Sequence, residues 1–119
     1  PGVHWVAFYF ASTNGQPEFF DSGGFAPNLY HFTCVDPNHC VFHTMSLQAP
    51  HSNVCGYYCI YFLFYRSLGI SYLSIVRLIS KHSSDRDSHV KSTVIRLLPS
   101  QYHSVHVYDS YAKQVSQCK

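Results

Sequence analysis

Residues 54–65 read VCGYYCIYFLFY, the longest uninterrupted apolar run of the chain. This run of 12 residues is too short for a membrane-spanning helix, which needs about 20 residues. Ser52 or Asn53, in the loop before it, is suited to cap a helix, and Gly69 is suited to end one. The sequence therefore predicts a buried helix over about residues 54–68, with the rest of the domain packed around it.

The composition is typical of one folded domain. The 119 residues include 10 Tyr, 9 Phe and 1 Trp, but only eight basic and six acidic residues. So many aromatic side chains exclude a disordered or collagen-like chain. The length suits a modest core but is too short for two domains of ordinary size, so we predict a single domain over residues 1–119.

Charge is divided unevenly along the chain. Residues 1–65 contain three acids and no Lys or Arg, whereas residues 66–119 contain all eight basic residues. The basic half is a candidate surface for nucleic acid, but Lys and Arg spaced widely over helices more often form a solvated face. No contact with a membrane is expected, because no apolar run is long enough to span one.

Cysteine usage indicates a compartment. The five cysteines stand at positions 34, 40, 55, 59 and 118, an odd number without the even framework of a disulfide-stabilised protein. Because disulfides are rare where thiols are kept reduced, we expect a reducing intracellular compartment, the cytoplasm or the nucleus.

Two strands are predicted before the buried helix. Residues 3–10 are β-branched and aromatic on both alternating faces, as in a central strand that is covered on both sides. A turn over 12–15 follows, and residues 16–21 return as the second strand of a hairpin. Beyond it we expect a loop over 25–47 that contains one short strand around 40–46.

Two further helices are predicted after Gly69. Ser71 is suited to cap an amphipathic helix. The residues expected mostly on one side of that helix are Leu73, Val76, Leu78 and Ile79. Another helix is expected over 85–98, and the tail from Tyr102 suits either a strand or a helix. A short sheet followed by helices gives the α+β fold class.

Cys55 is the first candidate functional residue. It lies in the first turn of the predicted helix, where the helix dipole and the free backbone N–H groups favour a thiolate and so lower the thiol pKa. Gly56 beside it lets another backbone approach closely. A small buried cysteine in an apolar helix is the alternative interpretation, and it is the preferred one for Cys59, one turn further on.

His4 and Asp21 form a second candidate pair. His4 is polar in an otherwise apolar strand, and Asp21 ends the strand that pairs with it. A four-residue loop over 12–15 places Asp21 opposite Val6 and diagonal to His4, within roughly 7–8 Å at Cβ. A tight Asn-Gly turn would place Asp21 opposite Phe8 instead, about 13 Å from His4. We predict the longer loop, which lets the two side chains meet.

The candidate residues and their neighbours form one pattern. Its elements, at these spacings, are His4-Trp5, Asp21-Ser22, Gln48 and Cys55-Gly56. The pattern resembles the adenovirus proteases (the adenain family) and the related ubiquitin-like (SUMO) proteases, from residue 2 to about residue 66. The segments 2–8 and 48–56 are most similar to adenain, whereas the acid is an aspartate, as in the SUMO proteases.

The resemblance implies a cysteine endopeptidase with a papain-like or adenain-like fold. His4 accepts the proton of Cys55 in such an enzyme, and Asp21 orients the imidazole. Gln48 donates its side-chain N–H to the oxyanion, together with the backbone N–H of Cys55. No metal or other cofactor is implied. The implied substrate is a polypeptide cleaved near small residues such as Gly-Gly, for example a virion or mobile-element protein, and the virion is then a second candidate location.

The same resemblance implies an alternative function and the expectation that the chain is a fragment of the catalytic domain. The alternative is a protease that releases ubiquitin-like (SUMO-type) proteins from conjugates. The elements that precede the catalytic histidine in the family are absent before His4, so we expect the 119 residues to be a catalytic fragment.

A competing interpretation is a small zinc-binding module without catalysis. Its candidate ligands lie close together in the sequence: His31, Cys34, His39, Cys40 and His43. Imidazoles and thiolates are ligands that zinc prefers, but the spacing matches no standard zinc motif. We therefore prefer a polar loop for this segment.

Overall fold

The computed structural model describes residues 3–10, 15–32 and 36–98 of the chain. It is an α+β structure, as predicted, in which a two-stranded antiparallel sheet is followed by three helices. The predicted turn over 12–15 lies mostly outside the described residues, and the tail from Tyr102 lies wholly outside them. No helix in the described stretches combines the length and the apolar character that crossing a membrane requires.

Helix α1, Cys55–Ser67, is the central element. Tyr58, Cys59, Tyr61 and Phe62 are completely buried in it, and the helix contacts β1 and both other helices. The predicted buried helix is therefore confirmed, and Gly69 follows its last turn with a φ of 86°. Glycine adopts this left-handed conformation without steric cost, which is why helices commonly end in this way.

The predicted cap of α1 is wrong. The residue at the N-terminal boundary is Val54, which has no side-chain capping bond. Neither Ser52 nor Asn53 takes that position, because both oxygens of Ser52 instead accept hydrogen bonds from the amide of Gln48. The loop before α1 is thus organised around Gln48 rather than around the helix terminus.

Strands β1, Ala7–Tyr9, and β2, Glu18–Phe20, form the sheet. The register pairs Ala7 with Phe20, Phe8 with Phe19 and Tyr9 with Glu18. This is the register of the predicted four-residue loop, and continuing it by one residue places Asp21 opposite Val6. A tight Asn-Gly turn would have shifted the pairing by two residues.

Both strands are shorter than predicted. The pairing covers three residues of each strand, and His4 lies in the segment before β1. The expected strand around 40–46 is reduced to one parallel bridge between Val41 and Glu18. Among the described residues, the strand with neighbours on both sides is therefore β2 and not β1, which corrects the prediction of a central first strand.

Both faces of the sheet are covered, in agreement with the apolar character of both strands. Ala7 and Phe20 face the main core, where the ring of Phe20 stacks on Phe62 of α1 with centroids 4.7 Å apart. Val6, Phe8 and Phe19 pack on the opposite face. Aromatic rings in the loop after β2 cover that second face, namely Tyr30, Phe32 and Phe42.

Helices α2, Tyr72–Ser80, and α3, Arg86–Leu97, follow α1 in the described part of the chain. Ser71 caps α2 as predicted, since its hydroxyl accepts a hydrogen bond from the N–H of Ser74. The buried face of α2 is formed by Tyr72, Ile75, Val76 and Ile79. Leu73 was expected beside Val76 but is 57% exposed. Its position is one residue after Tyr72 in the helix, about 100° away from the buried stripe.

The first cation of the basic half is not solvated. The Nε of Arg66 lies 2.7 Å from one carboxylate oxygen of Glu18, and its Nη2 lies 2.9 Å from the other. Both side chains are largely buried, and the guanidinium also lies over the ring of Tyr9. Such a two-point pair is geometrically specific, and here it joins α1 to the sheet.

Candidate active site

The sheet register brings His4 to Asp21. Nε2 of His4 lies 2.7 Å from Oδ1 of Asp21, so the predicted contact between the two side chains is confirmed. Their exposure differs sharply, since 37% of the His4 side chain is accessible but only 1% of the Asp21 side chain. The imidazole therefore faces solvent on one side and a buried carboxylate on the other.

Asp21 is held by three donors. Besides His4, the backbone N–H of Gly23 donates to Oδ1 at 2.7 Å, and the hydroxyl of Tyr30 donates to Oδ2 at 2.5 Å. Burial by itself raises the pKa of the Asp21 carboxyl, but the hydrogen bonds from His4, Tyr30 and Gly23 outweigh it, so the pKa lies below its usual value. The carboxylate is therefore ionised and fixed in orientation.

Cys55 lies in the first turn of α1, as predicted, where it is the first residue, and it lies against His4. Burial raises the pKa of its thiol. The hydrogen bond with His4 and the backbone N–H groups of Trp5 and Gly56 oppose this effect and bring the pKa below the ordinary value of 9.0. With Nε2 of His4 occupied by Asp21, Nδ1 is the ring nitrogen that remains for the sulfur. The sequence argument for a stabilised thiolate at the helix terminus is thereby supported by specific donors.

Both partners of His4, Asp21 and Cys55, raise the pKa of its imidazole. The hydrogen bond with Asp21, followed by the one with Cys55, raises the pKa of the imidazole from 6.5 to about 10. Partial burial opposes this shift only in part. With the histidine pKa raised and the cysteine pKa lowered, an imidazolium–thiolate pair is favoured over the neutral pair at neutral pH.

Gln48 lies in the same region but has other partners in this structure. Its Oε1 accepts a hydrogen bond from the hydroxyl of Ser22 at 2.6 Å. Its Nε2 donates to the carbonyl oxygen of Ser52 at 2.9 Å and to the hydroxyl at 2.8 Å. A carbonyl oxygen accepts only, so the nitrogen of the amide must be the atom that faces Ser52. The amide is thus oriented toward the loop that leads into Cys55.

The dipeptide Asp21-Ser22 connects His4 to the side-chain amide of Gln48. Asp21 contacts His4 through its side chain, while the next residue, Ser22, binds the Gln48 amide through its hydroxyl. The carbonyl oxygen of Ser22 also accepts the backbone N–H groups of Leu47 and Gln48. Because Ser22 is almost fully buried, the histidine side and the glutamine side of the site are fixed to one rigid point.

The sequence interpretation missed Tyr30. Its hydroxyl binds Asp21, and its ring lies nearly parallel to His4, with centroids 6.0 Å apart and planes at 21°. Burial, followed by the hydrogen bond with Asp21, raises the pKa of Tyr30. Tyr30 ends a short 3₁₀ turn, Pro27–Tyr30, in a segment without periodic pattern. No local signal in that segment could have indicated the contact.

Two of the candidate zinc ligands have hydrogen-bond partners in different parts of the structure. Nδ1 of His39 lies 2.7 Å from the Asp36 carboxylate at the surface, and Nδ1 of His43 lies 2.7 Å from the Tyr72 hydroxyl. Cys34 lies outside the described residues. Within the described stretches, no group of three or more His, Cys, Asp or Glu side chains is arranged to hold a metal ion. The described cysteines, at positions 40, 55 and 59, are free thiols.

Comparison with known proteins gives no relative. No protein-family model, no curated protein and no solved structure matches the chain.

Proposed function

We propose that the chain is the catalytic domain of a cysteine endopeptidase of the adenain-like group. The observation that carries the proposal is the position of His4, between the buried carboxylate of Asp21 and the thiol of Cys55 at the N-terminus of α1. A nucleophile, a base and a group that orients the base form the arrangement that covalent catalysis of acyl transfer requires. We also propose a papain-like or adenain-like fold, which is supported by the resemblance of the sequence to these proteases.

The proposed reaction follows from the proton positions. Nδ1 of His4 takes the proton of Cys55, and the thiolate attacks the carbonyl carbon of the scissile peptide bond. The carbon–nitrogen bond then breaks, and the leaving amine takes the proton from His4, which leaves a thioester on Cys55. His4 next removes a proton from water, and the resulting attack on the thioester releases the acid and the thiolate. Asp21 stays ionised throughout and stabilises the imidazolium.

The oxyanion is assigned to two donors, the backbone N–H of Cys55 and the side-chain amide of Gln48. Removing one donor of this kind typically costs 10²–10³ in rate, or about 3 kcal/mol. In the described structure the amide nitrogen of Gln48 donates to Ser52. On binding of substrate, we expect the oxyanion to replace the hydroxyl of Ser52 as an acceptor of the Gln48 amide, while the bond to the Ser52 carbonyl oxygen keeps the amide oriented.

The proposed substrate is a polypeptide cleaved near small residues such as Gly-Gly. The indole of Trp5 lies 3.6 Å from the place that a side-chain carbon on Gly56 would occupy. The indole of Trp5 thus lies against the backbone beside the nucleophile, and the expected preference for small residues comes from the resemblance to the two protease families. Viral or mobile-element structural proteins are the proposed natural substrates, in a reducing intracellular compartment or a virion.

The second candidate is a protease that releases ubiquitin-like proteins from conjugates. The aspartate at position 21 favours it, since the SUMO proteases have this acid. Both candidates use the same chemistry at Cys55, so they differ only in what they bind. Nucleic-acid contact by the basic half stays a prediction under either candidate.

The proposal is tested with a fluorogenic Gly-Gly reporter peptide, a SUMO-type conjugate and a peptide vinyl sulfone. We expect the wild-type chain to cleave the peptide and the vinyl sulfone to label Cys55. Cys55→Ala should abolish both. Cys59→Ala is the matched control, because Cys59 lies one turn further along the same helix, is fully buried, and has a pKa raised by burial. Equal cleavage by the wild type and Cys55→Ala would refute the proposal, and preferential cleavage of the conjugate would select the second candidate.

A further inference from the structure

Three groups hold the peptide units on both sides of Gln48. The carbonyl oxygen of Ser22 accepts the N–H of Gln48 at 3.0 Å. The hydroxyl of Tyr58 lies 3.1 Å from the carbonyl oxygen of Leu47, and Oδ1 of Asp87 accepts the N–H of Ala49 at 3.2 Å. The backbone of Gln48 is therefore fixed from the turn after β2, from α1 and from α3.

Asp87 and Tyr58 are themselves connected. The Tyr58 hydroxyl donates to Oδ1 of Asp87 at 2.8 Å, the same oxygen that accepts the N–H of Ala49. A tyrosine has one hydroxyl proton, so the Asp87 carboxylate and the Leu47 carbonyl share it. Tyr58 is completely buried, and its ring cannot follow a movement of the loop. One carboxylate thus links the loop of Gln48 to a rigid point in the core.

The cleft beside this contact joins the same elements. It has a volume of about 480 Å³ and is lined by the loop from Ser46 to Pro50 on one side and by residues 83–87 on the other. Neither His4 nor Cys55 lines it. The first turn of α3 therefore borders the loop of Gln48, and the nearest candidate catalytic group to Asp87 along these contacts is Gln48.

On the basis of the proposed peptidase function, we infer that Asp87 is a positioning residue, which sets the orientation of the Gln48 oxyanion donor through Tyr58 and Ala49. Donors to an oxyanion act by being held in place before charge develops, and small displacements of such groups cost large factors in rate. Because Asp87 acts through Gln48, its loss cannot exceed the loss caused by removing the Gln48 side chain itself.

Asp85 provides a matched comparison for Asp87. Both are acids at the start of α3, and Asp85 is the boundary residue of the helix. The side chain of Asp85 is exposed and makes no capping hydrogen bond. A purely helical role of acids near a helix N-terminus predicts similar effects at the two positions. The positioning role predicts an effect at Asp87 alone.

The test measures kcat and KM for the Gly-Gly reporter, together with the rate at which iodoacetamide alkylates Cys55. Alkylation needs the thiolate but forms no oxyanion, so it reports the histidine–cysteine pair separately. Asp87→Ala should lower kcat about tenfold to a hundredfold, with KM and the alkylation rate within about twofold. Asp87→Asn keeps an acceptor oxygen for Ala49 and Tyr58 and should retain most of kcat. Asp85→Ala should match the wild type.

The decisive comparison uses the Gln48→Ala background. There Asp87→Ala should cause no further loss of kcat, because two residues that act through one group are not additive. Tyr58→Phe keeps the buried ring and removes only the hydroxyl that contacts Asp87 and the Leu47 carbonyl oxygen. It serves as a second variant if circular dichroism shows that Asp87→Ala is poorly folded. It should lower kcat in the wild type and not in Gln48→Ala.

The outcomes separate this inference from the proposed function. A wild-type chain without Cys55-dependent cleavage overturns both. If cleavage depends on Cys55, the peptidase function is supported. The positioning role is nevertheless overturned if Asp87→Ala lowers kcat equally in the wild type and in Gln48→Ala, or if Asp87→Ala slows the alkylation of Cys55. Wild-type kcat in both Asp87→Ala and Tyr58→Phe also overturns it.

Discussion

Asp21→Asn should lower the pKa of His4 while leaving the fold intact. The asparagine oxygen can take the place of Oδ1 and accept from His4 and from the N–H of Gly23. Its amide group then faces the hydroxyl of Tyr30, which can turn and act as an acceptor. The substitution therefore removes a charge without leaving a buried polar atom unpaired.

The magnitude follows from the separation of the two groups. Coulomb's law with the screening of bulk water gives ~1.5 kcal/mol at the 2.7 Å between Nε2 of His4 and Oδ1 of Asp21. This energy corresponds to about one pKa unit, and it is a lower bound because the carboxylate is buried. Since the carboxylate favours the imidazolium, its loss lowers the histidine pKa from about 10 by at least about one unit.

Histidine ring NMR across pH 6–11 measures the change directly, with the resonance assigned by its absence in His4→Gln. We expect the alkaline limb of kcat/KM for the reporter to move to lower pH by the same amount. Asp36→Asn is the control, because it breaks another 2.7 Å histidine–aspartate pair, with His39, at the surface. If His4 titrates near 6.5 in the wild type, or at the same pH in Asp21→Asn, the assigned coupling is wrong.

Three stability predictions accompany this one, all measured by urea denaturation. Tyr30→Phe should lower the free energy of unfolding by ~1.5–3 kcal/mol, since the buried carboxylate of Asp21 loses a donor. Tyr65→Phe is the control, because the Tyr65 hydroxyl has no hydrogen bond within the described stretches. It should change the free energy of unfolding by less than about 0.5 kcal/mol. Gly24→Ala should destabilise the fold by at least ~1 kcal/mol more than Gly69→Ala. Both glycines have positive φ, but only at Gly24 would the new carbon lie 2.7 Å from backbone atoms, those of Met45. Equal losses of stability in the two variants would contradict the argument. The stabilising effect of His4, taken as the difference between the wild type and His4→Ala, should be complete below pH 6.5 and decline as the pH rises through about 10, because the folded-state pKa is raised; a difference that grows with pH would contradict it.

Local sequence patterns predicted much of the helical structure. Ser71 caps α2, Gly69 follows the end of α1, and Asp85 precedes α3, because each of these signals depends on backbone geometry within a few residues. The failures have a different origin. Ser52 does not cap α1 because its oxygens accept from the Gln48 side chain instead, and Leu73 is exposed because the core covers the face of α2 that carries Tyr72, Ile75 and Ile79.

The pairing of His4 with Asp21 was predictable because the loop length of a hairpin fixes the register of its two strands. Once the loop length is chosen, the register follows, and it places the two residues diagonally on one face. The strands themselves are shorter than predicted, since an apolar alternating pattern marks burial and does not require a ladder partner at every residue.

The sequence by itself determined the α+β class, the buried helix with Cys55 at its start, and the histidine–aspartate contact. Only the tertiary structure decided which groups surround them: Tyr30 on the carboxylate, Ser22 and Ser52 on the Gln48 amide, and Asp87 on the loop. These contacts join loops and helix termini in which no periodic pattern relates the partners. Chain packing alone brings such groups together, and burial then requires each polar atom to find a partner.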